Sequence, residues 1–183
     1  MVSFHQFLKG RETSETKFFL HLKELGFPVE MTQCGTPDFI MGKPSPDDVA
    51  RSLACINRIE EFFNQCSYVC QSQTPKECSI NSYNMDKEAS STVSECQCSC
   101  PFDVFVLDEL MTCIDLGIVS SEDVLKLIEK KPTHVELIIT GRCTPEKAKD
   151  LIASPLVGLV TEMKEIRHYY NEQKLQARVG IEM

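Results

Sequence analysis

Two carboxylates that close an apolar run are the residues of this chain most suited to chemistry. Asp108 and Glu109 follow Phe105-Val106-Leu107 directly, and five of the six residues at 102–107 are apolar. A short continuous apolar run reads as a parallel strand buried on both faces, and ligands of α/β sheets sit beyond the carboxyl ends of such strands. Hard oxygen donors at that point suit a Mg²⁺ ion carrying nucleotide phosphates. Read alone, the run is equally well a core strand with a polar end. Two further strand ends carry polar groups. Thr140-Gly141-Arg142 closes the run at 135–140. It is either a turn with a solvated arginine or a phosphate contact, for which the guanidinium fork is well shaped. Val160-Thr161-Glu162-Met163 closes a shorter run near 159–161. Three polar strand ends on one sheet edge weigh more than any one of them.

The elements that must position these groups alternate. Residues 2–7 read as a strand entering a turn at Lys9-Gly10, and 16–25 as an amphipathic helix with Phe18, Phe19, Leu22 and Leu25 on one side and Gly26 as its stop. A second strand lies at 29–32. Ser45-Pro46-Asp47-Asp48 is a helix start, with a Ser cap, Pro at the first position and acids in the first turn. That helix buries Val49, Leu53, Ile56 and Phe63. Periodicity stops at 64–101, a stretch rich in Ser, Cys, Gln and Asn that reads as a surface loop or partly disordered insertion. Beyond the strand at 102–107 come a helix at 121–130 capped by Ser120, the strand at 135–140, a helix opened by Thr144-Pro145-Glu146 and a last strand near 159–161. Strands alternating with helices through short links imply right-handed βαβ units and a parallel sheet, an α/β fold.

With 183 residues the chain is most simply a single domain, with 64–101 as an insertion. A formal net charge of -8 argues against a broad nucleic-acid surface. No apolar run approaches the roughly 20 residues of a membrane span. The N-terminal Met1-Val2-Ser3-Phe4-His5-Gln6 has neither the basic nor the apolar region of a secretory signal, which points to the cytoplasm and to free thiols. Of ten cysteines, Cys66, Cys70, Cys78, Cys96, Cys98 and Cys100 cluster in the insertion. They lack paired zinc-ribbon spacing, so a reduced flexible segment is expected in preference to a metal site. The other four read as small buried hydrophobes. His168 is expected to be structural, while His5, His21 and His134 carry no signal.

Taken in order, Val106-Leu107-Asp108-Glu109-Leu110, Thr140-Gly141-Arg142, Val160-Thr161-Glu162-Met163, His168 and Gly180-Ile181-Glu182 resemble the P-loop-type ATP:corrinoid adenosyltransferases of cobalamin synthesis and salvage. The N-terminal Gln6-Phe7-Leu8-Lys9-Gly10 with Glu15 is similar to that family's second strand and loop. The resemblance covers nearly all of the chain outside 64–101. It implies a P-loop NTPase-like parallel sheet and transfer of the 5′-deoxyadenosyl group of ATP to the cobalt of a reduced corrinoid. It further implies Mg²⁺ held by Asp108 and Glu109, Arg142 facing the nucleotide, and Gln6, Lys9 and Glu15 near the substrate cleft. Its expected partners are a second copy in a homodimer and a reducing flavoprotein.

Two departures stand out. The family opens with a strand and a Gly-rich phosphate loop ending in Gly-Lys-Thr, and this sequence starts downstream of both. Gly42-Lys43 reads as a decoy, because Pro44 follows it, position 37 is Pro and no strand precedes it. In place of the family's Phe-Thr-Trp segment stands Gly35-Thr36-Pro37-Asp38-Phe39, and the chain has no Trp. The alternative reading is therefore a truncated or degenerate, non-enzymatic member that binds a corrinoid or a protein.

Overall fold

A computed structural model describes residues 1–68, 101–176 and 178. Four strands, β1 (Val2–Gln6), β2 (Val29–Gln33), β3 (Val104–Asp108) and β4 (Glu136–Ile139), form one all-parallel sheet in the order β2-β1-β3-β4. The connections are α1 (Ser14–Glu24), α2 (Pro46–Tyr68), and α3 (Leu110–Leu116) with α4 (Ser121–Lys130). After β4 come α5 (Pro145–Ile152) and α6 (Tyr169–Gln173). The α/β fold read from the sequence is the one observed.

Local caps account for the helix starts. Thr13 and Thr16 close a capping box on α1, and the Ser120 hydroxyl accepts the Asp123 N–H at the start of α4. Pro145 takes the first turn of α5, where its missing N–H is no loss. The strongest cap is on α2. The Ser45 N–H and hydroxyl both donate to Asp48, and the Asp48 N–H donates back to the Ser45 oxygen.

The two sheet faces are covered unequally. Ser3, His5, Phe105 and Leu107 are buried on the face that packs under α2. Phe63 meets Phe105 edge-on, Phe102 lies tilted against it, and the three fill the centre of the core. On the opposite face Phe4 stacks on Phe19 of α1. Further along that face Val106 is only half-buried and Ile138 is exposed.

Several expectations need correction. No strand forms at 159–161 among the described residues: Leu159 is 84% and Met163 93% exposed, along an irregular segment. Strand-forming side chains hold that conformation only against a neighbouring strand, and β4 is the last strand of the sheet. The apolar side of α1 is mostly open, with Phe18 at 59% and Leu25 at 61% exposure. Helix α2 runs to Tyr68, five residues into the segment expected to be a loop; 69–100 lie outside the described residues. Helix α3 was not anticipated. A strand does precede Gly42-Lys43, since β2 ends at Gln33.

Candidate functional site

From β1 the chain moves one way to β2 and the other way to β3 and β4, so its direction reverses between β1 and β3. A crevice outside the carboxyl ends of the strands opens at such a switch point, and ligands of open α/β sheets bind there. Gln6 and Asp108, the last residues of β1 and β3, are register partners at that point, with Gln33 of β2 level with them. Gln6 is fully buried. Its carbonyl oxygen meets the Gln33 amide at 3.4 Å, and its own Nε2 has no hydrogen-bond partner among the described residues. A buried orphan donor at a sheet's ligand-binding edge is costly unless something else satisfies it.

Asp108 and Glu109 are latched to β4. The Thr140 hydroxyl donates to Asp108 Oδ1 at 2.9 Å and accepts the Glu109 N–H at 3.2 Å. Glu109 sits in the left-handed region at φ 65° and opens α3 without capping it through its side chain. That conformation costs a non-glycine residue about 1–2 kcal/mol, a strain of the kind that concentrates at functional sites. Both carboxylates are half-buried, Asp108 as the last residue of β3 and Glu109 at the start of α3.

Gly141 explains how Arg142 is placed. Its φ is 130°, and a Cβ there would stand 2.8 Å from the Thr112 nitrogen and 2.9 Å from the Thr112 hydroxyl. Only glycine lets the chain pass this close over the start of α3. The Arg142 N–H then donates to the Thr112 hydroxyl at 2.9 Å, while the guanidinium is exposed and has no acidic partner among the described residues.

The loop after β1 lies against the loop after β2. A Cβ on Gly10 would meet the Gly35 oxygen at 2.5 Å, and one on Gly35 would meet the Leu8 carbonyl carbon at 2.5 Å. Beside this contact Lys9 pairs with Glu15 at 3.3 Å. A hydrogen bond from Thr13, with Lys9 adding charge, holds the Glu15 carboxyl below its ordinary range. Across the loop, the Thr36 hydroxyl donates to Asp48 Oδ1 at 2.6 Å. Thr36 and the Ser45 cap together hold Asp48 low as well.

The start of α2 is therefore filled by a carboxylate of its own chain, with Asp47 beside it in the first turn. A free helix N-terminus attracts phosphate, whereas this one presents negative charge. The Gly42-Lys43 turn remains a decoy, for that reason and for its Pro44.

Of the residues singled out from sequence, Gln6, Asp108 and Glu109 come together at the switch point, with Arg142 on the loop that follows the latching Thr140. Lys9 of the β1–α1 loop and Glu15 in the first turn of α1 form a separate exposed pair. The 160–163 motif is not at a strand end. His168 caps α6, its Nδ1 accepting the Tyr170 N–H, a structural role as expected. Gly180-Ile181-Glu182 lies outside the described residues, as does the cysteine cluster from Cys70 to Cys100.

The cysteines overturn one expectation. Cys34 and Cys55 are not free thiols but a buried cystine with Cα atoms 5.8 Å apart, tying the end of β2 to α2. His5, which carried no signal in the sequence, is 1% exposed, with Nδ1 3.7 Å from Cys55 Sγ and Nε2 2.9 Å from the Ser3 hydroxyl. Burial, with Arg58 behind it, pushes its pKa down to about 4. Cys113 stays a buried thiol, and burial pushes its pKa up to about 12. The three groups come from positions 5, 34 and 55, a spacing with no local pattern to read.

A 67-residue stretch, 37% of this chain, is 37% identical to the uncharacterized protein all2391 of Nostoc sp. (strain PCC 7120 / SAG 25.82 / UTEX 2576). The matched stretch spans 16% of that protein's length. The model of a family described as ATP:corrinoid adenosyltransferase BtuR/CobO/CobP matches residues 1–183. The chain belongs to the ATP:corrinoid adenosyltransferase family.

Proposed function

We propose that this chain, as one domain with 64–101 inserted in it, transfers the 5′-deoxyadenosyl group of ATP to the cobalt of a reduced corrinoid in cobalamin biosynthesis or salvage. A cobalt–carbon bond forms as the bond from C5′ to the triphosphate oxygen breaks, and triphosphate leaves. The cobalt substrate supplies the electron pair, so no side chain need act as nucleophile. The protein's work is to orient the reactants, offset charge at the triphosphate and keep water out.

The observation that carries this reading is the pairing of Gln6 with Asp108 at the switch point, with Thr140 holding both acids in place. Mg²⁺ fits the donor set, because Asp108 and Glu109 offer hard carboxylate oxygens at the rim and no cation pairs with either among the described residues. When bound, the ion would neutralise phosphate charge. Arg142 would face the phosphates. Gln6 Nε2 is a buried donor at the end of β1, unsatisfied among the described residues, and Lys9 and Glu15 would border the substrate cleft. The substrate must arrive as Co(I), which calls for an electron donor such as a reducing flavoprotein, and the reading takes the working unit as a cytoplasmic homodimer. Among the described residues no helix is long and apolar enough to cross a membrane.

A second reading has its own observation. The sequence holds no G-x-x-x-x-G-K-[ST] run, and the one Gly-Lys turn before a helix is closed by Asp48. On that ground the chain is a corrinoid- or protein-binding module without ATP chemistry. Asp108→Ala and Glu109→Ala separate the two readings. Loss of Mg²⁺-dependent adenosyl transfer with an unchanged circular dichroism spectrum supports the enzyme. Near-normal turnover in both variants counts against the assigned site.

A further inference from the structure

We propose that His5, Cys34 and Cys55 form a buried Zn²⁺ site when reduced, and that the cystine is the oxidised, metal-free form of the same site. This inference is independent of adenosyl transfer. One ligand atom from each of the three residues lies within 4.8 Å of the others, and all three residues are buried. They come from β1, the residue after β2, and α2, so one ion would join two strands to the helix that covers them.

The imidazole is what a simple disulfide leaves unexplained. Its Nδ1 faces Cys55 Sγ at 3.7 Å, and a cystine sulfur has no proton to give and accepts hydrogen bonds weakly. Its other nitrogen is held by the Ser3 hydroxyl at 2.9 Å. The Phe105 ring lies nearly parallel to it, 5° off, with centroids 5.9 Å apart. A ligating histidine is oriented in this way, with one nitrogen tied to a neighbouring polar group and the other aimed at the metal. The Nε2–H tautomer donates to Ser3 and leaves the Nδ1 lone pair directed at the sulfurs.

Charge selects the ion. Two thiolates and a neutral imidazole balance Zn²⁺, whereas a monovalent copper ion would leave a net negative charge in the interior, which is costly. Two thiolates and a nitrogen are also common zinc ligands, at about 2.3 Å and 2.0–2.1 Å, with water able to take the fourth position. Rotation about the Cα–Cβ bonds of the reduced residues separates the sulfurs to the roughly 3.8 Å that a tetrahedral ion requires. The chemistry balances. A dithiol reductant gives two electrons and two protons to the Cys34–Cys55 bond and becomes a disulfide itself. Zn²⁺ then displaces the two thiol protons.

The test uses the full chain with Cys66, Cys70, Cys78, Cys96, Cys98 and Cys100 replaced by Ser, reduced anaerobically with a dithiol and loaded with Zn²⁺ alone. About one zinc per chain should survive gel filtration. Co²⁺ in its place should show thiolate-to-cobalt charge-transfer absorption and the intense visible bands of a tetrahedral ion. Cys34→Ser and Cys55→Ser should lose the ion, whereas Cys113→Ser and Cys143→Ser should keep it. Ser3→Ala leaves every ligand in place and should weaken affinity about 10–100-fold. It remains decisive, together with the cobalt spectrum, should a ligand variant fail to fold. A reduced chain that retains no zinc would overturn the proposal. So would zinc retained by both Cys34→Ser and Cys55→Ser, a cobalt spectrum without the thiolate band, or a cystine that resists the dithiol in the folded chain.

Discussion

Replacing Asp48 by Ala removes the one carboxylate that ties the β2–α2 loop to the start of α2. Three donors lose their acceptor: the Thr36 hydroxyl at 2.6 Å, the Ser45 N–H at 2.8 Å and the Ser45 hydroxyl at 2.7 Å. A hydrogen bond to a charged group contributes about 1.5–3 kcal/mol. Asp48 is only 7% exposed, so the Thr36 bond counts nearly in full. Ser45 is exposed and water can reach its donors, so the cap is closer to the ~1 kcal/mol typical of a lost N-cap. The sum is about 3 kcal/mol, or roughly 6–12 °C in Tm for a protein of this size.

The sign with pH follows from the depressed Asp48 pKa. A carboxyl held low in the folded state stabilises it fully above the unfolded value near 3.9 and loses that effect as pH falls through the folded value. Urea unfolding of wild type and Asp48→Ala should therefore show a constant gap from about pH 7 to 5, narrowing below about pH 4. Thr36→Val should cost less than Asp48→Ala, and the double variant little more than Asp48→Ala alone. A gap under about 0.5 kcal/mol at neutral pH, or one unchanged into acid, would refute the reasoning.

Other outcomes follow from the same geometry. Calorimetric titration of the chain with MgATP should give a dissociation constant on the order of 100 µM or weaker, because no phosphate nest occurs in its sequence and the α2 terminus is already filled; low-micromolar binding would contradict this. Gly35→Ala should lower Tm severely, since its Cβ meets backbone atoms of Leu8 and Lys9 at 2.5 and 2.6 Å, while Gly158→Ala, with nothing within 4 Å, should leave Tm unchanged. Gly141→Ala should reduce adenosyl transfer more than it reduces stability, because it displaces the loop that carries Arg142; unchanged turnover would detach that loop from the site.

Legibility from sequence followed the range of the interactions. The caps at Ser45 and Ser120 rest on bonds within a few residues, and α5 opens on Pro145 and Glu146, so residue types alone placed α2, α4 and α5. The strand ending in Asp108 was readable because its residues up to Leu107 are all apolar, although only Phe105 and Leu107 are fully buried. The supposed strand at 159–161 carries similar residue types but has no neighbour, and only the assembled sheet reveals that. Helix α3 is short and apolar, and its start depends on a left-handed Glu109 that residue type does not signal. The Thr140 latch on Asp108 spans 32 residues, and the His5–Cys34–Cys55 group spans 50. Neither leaves a local pattern. Gly141 was the readable hint, since a glycine directly after a strand often marks close backbone approach.

The strand ends at Gln6 and Asp108 are proposed to move an adenosyl group and not merely to bind a corrinoid. The most direct measurement is formation of adenosylcobalamin from cob(I)alamin, followed by the absorbance change of the corrinoid, as MgATP is raised into the millimolar range. Mg²⁺-dependent turnover should appear that does not saturate at low-micromolar ATP and disappears in Asp108→Ala. A chain that binds the corrinoid yet forms no cobalt–carbon bond at any ATP concentration would contradict that proposal and leave the binding-module reading standing.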